Sequence, residues 1–234
     1  MSNEAVIELS GVTKLYKQGS VDVHALRGLD LVINKGEFTA IVGPSGSGKS
    51  TALNLIGALD DPTSGTVLLE GKDLASLGRK GRSHLRRDRI GFVFQAYNLM
   101  PVLTAYENAE SVLALQGVAA SERKTRVNAL LEEVGLSGME DRRPDELSGG
   151  QQQRVAIARA IASEPAVVLA DEPTANVDSA TAEKLLDIME KLNRERGVTF
   201  VFSTHDPRVM KRARRVVHLV DGKVDHDEIK EAGA

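Results

Sequence analysis

Short apolar runs bounded by turn residues alternate with longer helical patterns along most of this chain. Runs of this kind predict strands, and they lie at 6–9, 24–33, 38–42, 66–70, 90–94, 166–170 and 198–203. Apolar positions three and four residues apart predict helices, which lie at 49–59, within 104–134, at 148–162 and at 179–196. The Asp221-Gly222 pair predicts a hairpin turn within 216–224.

Strands alternating with helices predict an α/β fold built on a sheet. The strands before Gly43 add an antiparallel portion, and the helical stretch at 96–162 reads as an inserted helical subdomain. We therefore expect one domain over 1–234, with the core and β portion at 1–95 and 163–228. Ser179 is the expected N-cap of its helix and Gly197 the expected C-cap, and the tail at 230–234 is expected to be loose.

Composition narrows the possible functions. The chain has 234 residues, a formal net charge of -3 and no cysteine, which excludes disulfides and thiolate metal sites and favours a reducing compartment. No apolar run approaches the roughly 20 residues that a membrane-spanning helix needs, and the polar start of the chain lacks a secretion signal. A membrane role therefore needs a partner chain, and the mild acidity gives no argument for nucleic acid.

A phosphate-binding loop follows the apolar run at 38–42. The segment Gly43-Pro-Ser-Gly-Ser-Gly-Lys49-Ser50 satisfies the pattern G-x-x-x-x-G-K-[ST] between a predicted strand and a predicted helix. Glycines let the backbone approach a polyphosphate, and the helix N-terminus adds positive potential. Lys49 is expected to reach the β- and γ-phosphates and Ser50 to ligate Mg²⁺. The alternative, a Gly/Ser-rich surface turn, does not account for the flanking strand and helix.

Two carboxylates end another apolar strand. In Ala166-Val-Val-Leu-Ala-Asp171-Glu172, Asp171 is placed to hold Mg²⁺ and Glu172 to act as a general base toward water. Taken alone, the pair could equally be solvated acids at a strand end. The presence of a phosphate loop in the same chain favours the Mg²⁺-binding and catalytic roles for these two carboxylates.

The segment Leu147-Ser148-Gly149-Gly150-Gln151 is the most specific feature of the chain. A serine and two glycines opening a helix form a second anion-binding end, which one compact chain does not need for a single ATP. The segment resembles the signature of the ATP-binding cassette (ABC) family. This resemblance implies a P-loop NTPase (RecA-like) core in which Ser148, Gly149, Gly150 and Gln151 cap the nucleotide held by a second copy of the chain.

Further residues match the family in order. Tyr16 matches the aromatic that stacks on adenine, Gln95 the glutamine that reaches Mg²⁺ and water, and His205 the histidine at the γ-phosphate. Taken singly, each of these residues would be an ordinary packing, strand-end or surface residue. Their functional assignment therefore rests on their occurring together in the order of the family motifs. The residues that the resemblance places on ATP are Tyr16, Gly43, Pro44, Ser45, Gly46, Ser47, Gly48, Lys49, Ser50, Thr51, Gln95, Ser148, Gly149, Gly150 and Gln151, with Ser50, Gln95 and Asp171 on Mg²⁺ and Lys49, Glu172 and His205 in catalysis.

Two longer segments resemble one branch of the family. Residues 95–108 and 170–176 look like the lipoprotein-releasing and macrolide-exporter ATPases (LolD/MacB type), to which the cell-division ATPase FtsE is a near relative. Where that branch usually has Gly-Asn-Leu-Asp, this chain has Ala175-Asn-Val-Asp178. The resemblance implies a head-to-tail homodimer at the inner, cytoplasmic face of the cell membrane, beneath a permease.

Several alternatives stay open at this point. The apolar residues of 95–103 are expected to receive a short permease helix, but core packing also explains them. The basic run 79–87 favours a solvated face over a phospholipid contact. The rival functions are a soluble family member acting on DNA or ribosomes, an FtsE-like regulator, and a module that uses ATP only to dimerise.

Overall fold

The computed structural model describes residues 4–19 and 21–230, so residues 231–234 of the predicted loose tail lie outside the described residues. The strands are β1 (Ala5–Gln18), β2 (Val21–Asn34), β3 (Phe38–Val42), β4 (Ser64–Leu69), β5 (Lys72–Asp73), β6 (Ile90–Phe94), β7 (Val167–Asp171), β8 (Phe200–Ser203), β9 (Arg215–Val220) and β10 (Lys223–Ile229). The helices are α1 (Lys49–Ile56), α2 (Arg79–Arg89), α3 (Ala105–Leu115), α4 (Ala120–Glu133), α5 (Gly149–Ile161), α6 (Ser179–Arg196) and α7 (Pro207–Arg212), with a 3₁₀ turn at Pro144–Glu146.

The central sheet has six strands in the order β10-β9-β3-β8-β7-β6. Its strands run parallel except for β10, which pairs antiparallel with β9. Every residue of β3 and β8 is buried, as expected where helices cover both faces of a parallel sheet. The predicted α/β fold is confirmed, and the carboxyl ends of β3, β6, β7 and β8 all lie at one edge of the sheet.

The predicted antiparallel portion is a second sheet, in the order β2-β1-β4-β5. Its first two strands are longer than the sequence indicated, because β1 continues past Leu9 to Gln18. Register shifts occur between Leu9 and Val12 and again between Lys14 and Leu15. Each shift interrupts the two-residue alternation from which strands are recognised, so the second half of β1 escaped prediction.

The helices correct several predicted boundaries. The predicted helix 49–59 ends at Ile56, and 104–134 divides into α3 and α4. The prediction that Ser179 caps α6 is wrong: the N-cap is Asp178, whose carboxylate accepts the Thr181 N–H. Gly197 is the C-cap as predicted, in the left-handed conformation. The basic run lies on helix α2, which was not predicted because Leu85 is its one buried side chain.

Two apolar clusters pack on the central sheet. One joins β1, β2 and α1 to the sheet. The other joins α3, α4, α5 and α6 to sheet residues such as Phe38 and Phe202. The helical segment therefore shares a core with the sheet, and its delimitation as a subdomain at 96–162 stays a prediction. Within the described residues, no helix has the length and apolar character required to cross a membrane.

Candidate nucleotide-binding site

The phosphate loop joins β3 to α1, as the sequence predicts. Only glycine fits at position 43, because a Cβ added to Gly43 would lie 2.1 Å from the Leu219 carbonyl oxygen. Gly48, at φ 101°, precedes the first turn of α1, where free N–H groups favour an anion. Lys49 Nζ donates to the carbonyl oxygens of Gly43 and Pro44, at 2.8 and 3.0 Å. The ammonium group is thus held over the loop.

A cavity of about 770 Å³ opens above this loop, a volume in the range of small-molecule sites. It collects most of the predicted residues from five separated parts of the chain. Its lining is Tyr16, Val23, His24, Ala25, Gly43, Pro44, Ser45, Gly46, Gly48, Lys49, Ser50, Thr51, Gln95, Glu172, Ser203 and His205. The predicted residues Ser47, Asp171 and Ser148–Gln151 are not in this lining. Ser47 is buried, and its hydroxyl has no hydrogen-bond partner among the residues that the structure describes.

Two possible oxygen ligands for a divalent cation lie close together where Ser50 lines the cavity. Ser50 Oγ lies 3.2 Å from Asp171 Oδ1, although 121 residues separate them in the sequence. A hydroxyl and a carboxylate are the ligands that Mg²⁺ prefers, so these residues fit the ion. Gln95 Nε2 instead donates to Asn176 Oδ1 at 3.3 Å, and Asn176 Nδ2 donates to the Gln95 carbonyl. The Mg²⁺ role of Gln95 stays a prediction.

Glu172 is positioned by three hydrogen bonds. Its Oε2 accepts from Thr204 Oγ1 at 2.9 Å, and its Oε1 lies 2.6 Å from His205 Nδ1 and accepts the His205 N–H at 3.2 Å. The Glu172 backbone has φ 45°, a left-handed conformation that costs energy in a non-glycine residue and recurs at functional sites. The pair predicted from sequence is therefore in contact. Thr204 was missed, because a threonine after a buried strand carries no specific signal.

Tyr16 lies on β1 at the cavity wall. Its hydroxyl donates to Asp60 Oδ2 at 2.8 Å, and Lys14 Nζ lies 4.9 Å from the ring centroid. Burial and the hydrogen bond to Asp60 raise the pKa of Tyr16, so the hydroxyl keeps its proton at neutral pH. These contacts fix the ring at the edge of the cavity, and its role in stacking on adenine stays a prediction.

The Ser148–Gln151 segment opens α5 with a full capping box. Ser148 Oγ accepts the Gln151 N–H at 3.3 Å, and Gln151 Oε1 accepts the Ser148 N–H at 2.8 Å. Both glycines are closely packed within the chain. A Cβ on Gly149 would lie 2.6 Å from the Tyr97 hydroxyl, and a Cβ on Gly150 would lie 2.3 Å from Thr181 Cγ2. Packing alone therefore favours glycine at both positions, in addition to any role toward a nucleotide.

An arginine on α5 holds the backbone that follows Gln95. Tyr97 and Asn98 are both left-handed, with φ 58° and 50°. Arg159 donates to the carbonyl oxygens of Asn98 and Tyr97, at 2.6 and 2.9 Å. Burial lowers the pKa of Arg159, but a guanidinium stays charged at neutral pH. The Tyr97 hydroxyl donates to the Asn176 carbonyl at 3.0 Å, so this loop also touches the segment after Glu172.

An ion pair between Asp206 and Arg208 lies beside Glu172 and His205. Asp206 caps α7, accepting from Arg208 Nη2 at 2.8 Å and from Thr174 Oγ1 at 2.7 Å. Burial of the carboxylate raises its pKa, but the hydrogen bonds from Arg208 and Thr174 outweigh burial and hold the Asp206 pKa at about 2. This pair fixes the backbone directly after His205.

Comparison with known proteins agrees with this geometry. Residues 26–175 match the family described as ABC transporter. The lipoprotein-releasing system ATP-binding protein LolD of Anaeromyxobacter dehalogenans is 50% identical over 222 residues, covering 94% of this chain and 93% of that protein. The macrolide export ATP-binding/permease protein MacB of Syntrophobacter fumaroxidans is 46% identical over 222 residues, and this chain spans 31% of its length.

Among solved structures, one similar chain is an ATP-binding cassette of Methanocaldococcus jannaschii. Its structure is described as the dimeric post-hydrolysis state bound to ADP and Pi. The TM-score is 0.89 at 44% identity, covering 97% of this chain and 100% of that one. The phosphate loop and the Ser148–Gln151 segment both lie within residues 26–175, the region that matches the family.

Proposed function

Because this chain belongs to the ABC transporter family and is an ATPase of that family, we propose that it powers a separate membrane permease as a nucleotide-driven homodimer. Each ATP binds to Tyr16, the loop at 43–51 and Gln95 of one copy, and to Ser148–Gly150 of the other copy. The chain works at the inner, cytoplasmic face of the cell membrane.

One observation is the main support for the proposed dimer. The cavity that gathers Lys49, Glu172 and His205 has no contribution from Ser148–Gln151, yet that segment opens a thirteen-residue helix with Ser148 exposed. The first N–H groups of a helix attract an anion. A second copy of the chain, placed head to tail, brings this helix end to the open side of the cavity. The dimeric cassette of M. jannaschii supports this arrangement.

Hydrolysis follows from the contacts at the carboxyl ends of β7 and β8. Lys49 is expected to leave the Gly43 and Pro44 carbonyls and bind the phosphates, because a polyphosphate offers a stronger charged partner. Ser50 and Asp171 would hold Mg²⁺, which would neutralise charge on the phosphates. Glu172 accepts a proton from the attacking water. His205, whose side chain is 78% exposed, reaches from Glu172 toward the γ-phosphate.

ATP binds the closed dimer more tightly than the open one, and this difference in affinity supplies the free energy for work on the permease. ATP bridges the two copies, so binding favours closure, and loss of the γ-phosphate after hydrolysis removes the bridge. The loop after Gln95 transmits this change, since Gln95 and Tyr97 both bond to Asn176.

A groove beside this loop is the proposed permease contact. It encloses about 420 Å³ and has Phe92 and Phe94 on its floor, with ring centroids 5.5 Å apart. Leu115, which is 71% exposed, lines its edge together with Arg86. An apolar groove with an aromatic floor suits a short amphipathic helix, and the occupant proposed here is a cytoplasmic helix of the permease.

The names of two relatives support a permease of the lipoprotein-releasing or macrolide-exporting group. We propose a transporter of that group, which uses ATP mechanically to release or export material. The second candidate is an FtsE-like regulator of a membrane complex. Action on DNA or ribosomes is not favoured, because the stretch between Lys49 and Asp171 holds the short helices α1 to α5, of at most 14 residues, and a 3₁₀ turn rather than a long coiled coil.

The decisive experiment replaces Glu172 with glutamine. Glu172→Gln keeps the side-chain volume and an acceptor for Thr204, but it removes the base, so phosphate release should fall about 10²–10⁴-fold. ATP affinity should persist, and the ATP-bound variant should run as a dimer in size-exclusion chromatography. Glu195→Gln, an exposed glutamate on α6, is the matched control and should behave as the parent.

Two results would contradict the proposal. Normal phosphate release by Glu172→Gln would remove the assigned base. Monomeric behaviour of the ATP-bound variant at every protein concentration would remove the shared site, even if turnover were lost.

A further inference from the structure

The β9–β10 hairpin carries a cluster of metal-binding side chains that the nucleotide site does not use. His218 on β9 and His226 on β10 are direct cross-strand partners. Their imidazole rings stack, with centroids 3.7 Å apart and planes 17° from parallel. Side chains opposite each other on paired strands share one face of the sheet, so both rings project from the same face of the hairpin.

A carboxylate completes the cluster. Glu228 lies two residues beyond His226 on β10, so the two side chains share a face. His226 Nε2 lies 3.6 Å from Glu228 Oε1. One ligand atom from each of His218, His226 and Glu228 lies within 4.8 Å of the others. His218 is half-buried, and the other two residues are exposed, so an ion can enter from solvent.

A strand irregularity adds a supporting carboxylate. The ladder between β9 and β10 shifts register between Val224 and His226, which leaves Asp225 outside the regular pairing. Its Oδ2 lies 2.9 Å from His226 Nδ1. A carboxylate that accepts the Nδ1 proton fixes the tautomer and leaves Nε2 free as a metal ligand. The shift in register thus places Asp225 where a metal-binding histidine needs a partner.

We propose that His218, His226 and Glu228 bind a divalent transition-metal ion, with zinc as the best fit, and that Asp225 orients His226. Two imidazoles and one carboxylate are a common ligand set for zinc, with a water in the fourth position. Tetrahedral geometry brings bound nitrogens to about 3.3 Å from each other, and the ligand atoms already lie within 4.8 Å. Binding must turn the two rings out of their stack, because each nitrogen binds a metal in the plane of its ring. Mg²⁺ prefers oxygen ligands, so the site discriminates against the ion used with ATP.

The location gives the ion a structural effect. A metal bound to His218 and His226 cross-links β9 to β10 close to the hairpin turn. That turn is tied to the phosphate loop, because the Gly222 N–H donates to the Ser47 carbonyl at 3.1 Å. His218 itself pairs with Val42, the residue that precedes the loop. Zinc should therefore stabilise the hairpin against unfolding.

The test is zinc titration of the untagged full-length protein by calorimetry in excess Mg²⁺. The double variant His218→Gln/His226→Gln should lose nearly all of the binding, and Asp225→Asn should bind about 10-fold more weakly, as expected for a partner of a ligand. His84→Gln, which changes an exposed histidine on α2, is the matched control and should keep the parent affinity. Far-ultraviolet circular dichroism checks that each variant is folded.

A second measurement locates the ion. The chain has five histidines, and side-chain ¹⁵N NMR resolves their ring nitrogens. Zinc should shift the signals of His218 and His226 while those of His24, His84 and His205 stay in place. The proposal is overturned if the double variant binds zinc as tightly as the parent, if binding is weaker than millimolar, or if zinc moves His205 instead of the hairpin pair.

Discussion

Substitutions at Gly150 can distinguish two reasons for a glycine at this position, which are tight packing within the chain and contact with a nucleotide. In Gly150→Ala, the new Cβ would lie 2.3 Å from Thr181 Cγ2, whereas ordinary contact begins at 3.4 Å. Thr181 cannot rotate away freely, because its Oγ1 donates to Asp178 Oδ2 at 2.6 Å and its N–H is capped by the same carboxylate. Overpacking of this kind costs about 1–3 kcal/mol.

The helix offsets part of that cost. Gly150 is the second residue of α5, where alanine is favoured over glycine by at most the roughly 1 kcal/mol that applies in a helix interior. The net loss for Gly150→Ala is therefore about 1 kcal/mol, which lowers Tm by about 2–4 °C in a domain of this size. Thr181→Ser removes Cγ2 and keeps the hydroxyl. In Gly150→Ala/Thr181→Ser the nearest remaining atoms are the residue 181 Cβ and Oγ at 3.6 and 3.7 Å, so the clash is relieved.

Differential scanning calorimetry and phosphate release give the two readouts. The double variant should recover the parent Tm to within a few degrees, since the lost methyl group costs about 0.8 kcal/mol against the gain from alanine. Its ATPase activity should stay at least about 10-fold below the parent, the loss expected when one transition-state contact of about 1.4 kcal/mol is removed. Thr181→Ser alone is the control and should keep activity. Recovery of activity together with stability would refute the nucleotide role and leave packing as the whole reason for glycine.

Two other predictions concern stability. Asp206→Asn should lower the free energy of unfolding at neutral pH by about 2 kcal/mol, because the folded pKa of about 2 lies below the ordinary 3.8. The parent keeps this stabilisation above the ordinary pKa and loses it as pH falls toward 2, so the two unfolding curves should converge there; Asp141→Asn, at an exposed site, should leave the pH profile unchanged. Arg159→Met should lower the free energy of unfolding by about 1–2 kcal/mol, because the half-buried Tyr97 and the exposed Asn98 lose the charged donor to their carbonyl oxygens. Hydrogen exchange at 97–98 should accelerate, whereas parent-like exchange would show that Arg159 does not hold this loop.

The contiguous motifs made the nucleotide loop predictable. Gly43 to Ser50 and the Asp171-Glu172 pair each carry their chemistry in one short segment, and a predicted strand or helix beside each segment fixed its position. The structure brings Ser50 and Asp171 together as expected from parallel strands that end at one edge. Local sequence and sheet topology were sufficient for this part.

Other features depend on long-range contacts that no local pattern reports. Arg159 reaches a carbonyl 62 residues earlier in the chain, and nothing in its own helix marks that partner. Asp178 and Ser179 are both good N-caps, so only the structure decides between them. The helix α2 was missed because ten of its eleven side chains are not fully buried, which leaves no apolar periodicity to recognise.

The phosphate loop packs against the segment around Ala25 and the turn of the β9–β10 hairpin, and this packing affects when the chain can first bind ATP. An added Cβ on Gly48 or on Gly222 would meet the Ala25 carbonyl oxygen, at 2.5 and 2.7 Å. Two neighbouring segments and a third one far along the chain therefore fit around one carbonyl group. On the ribosome, the glycine-rich peptide emerges long before the hairpin that braces it. Full affinity for nucleotide is thus acquired only after the hairpin has been synthesised.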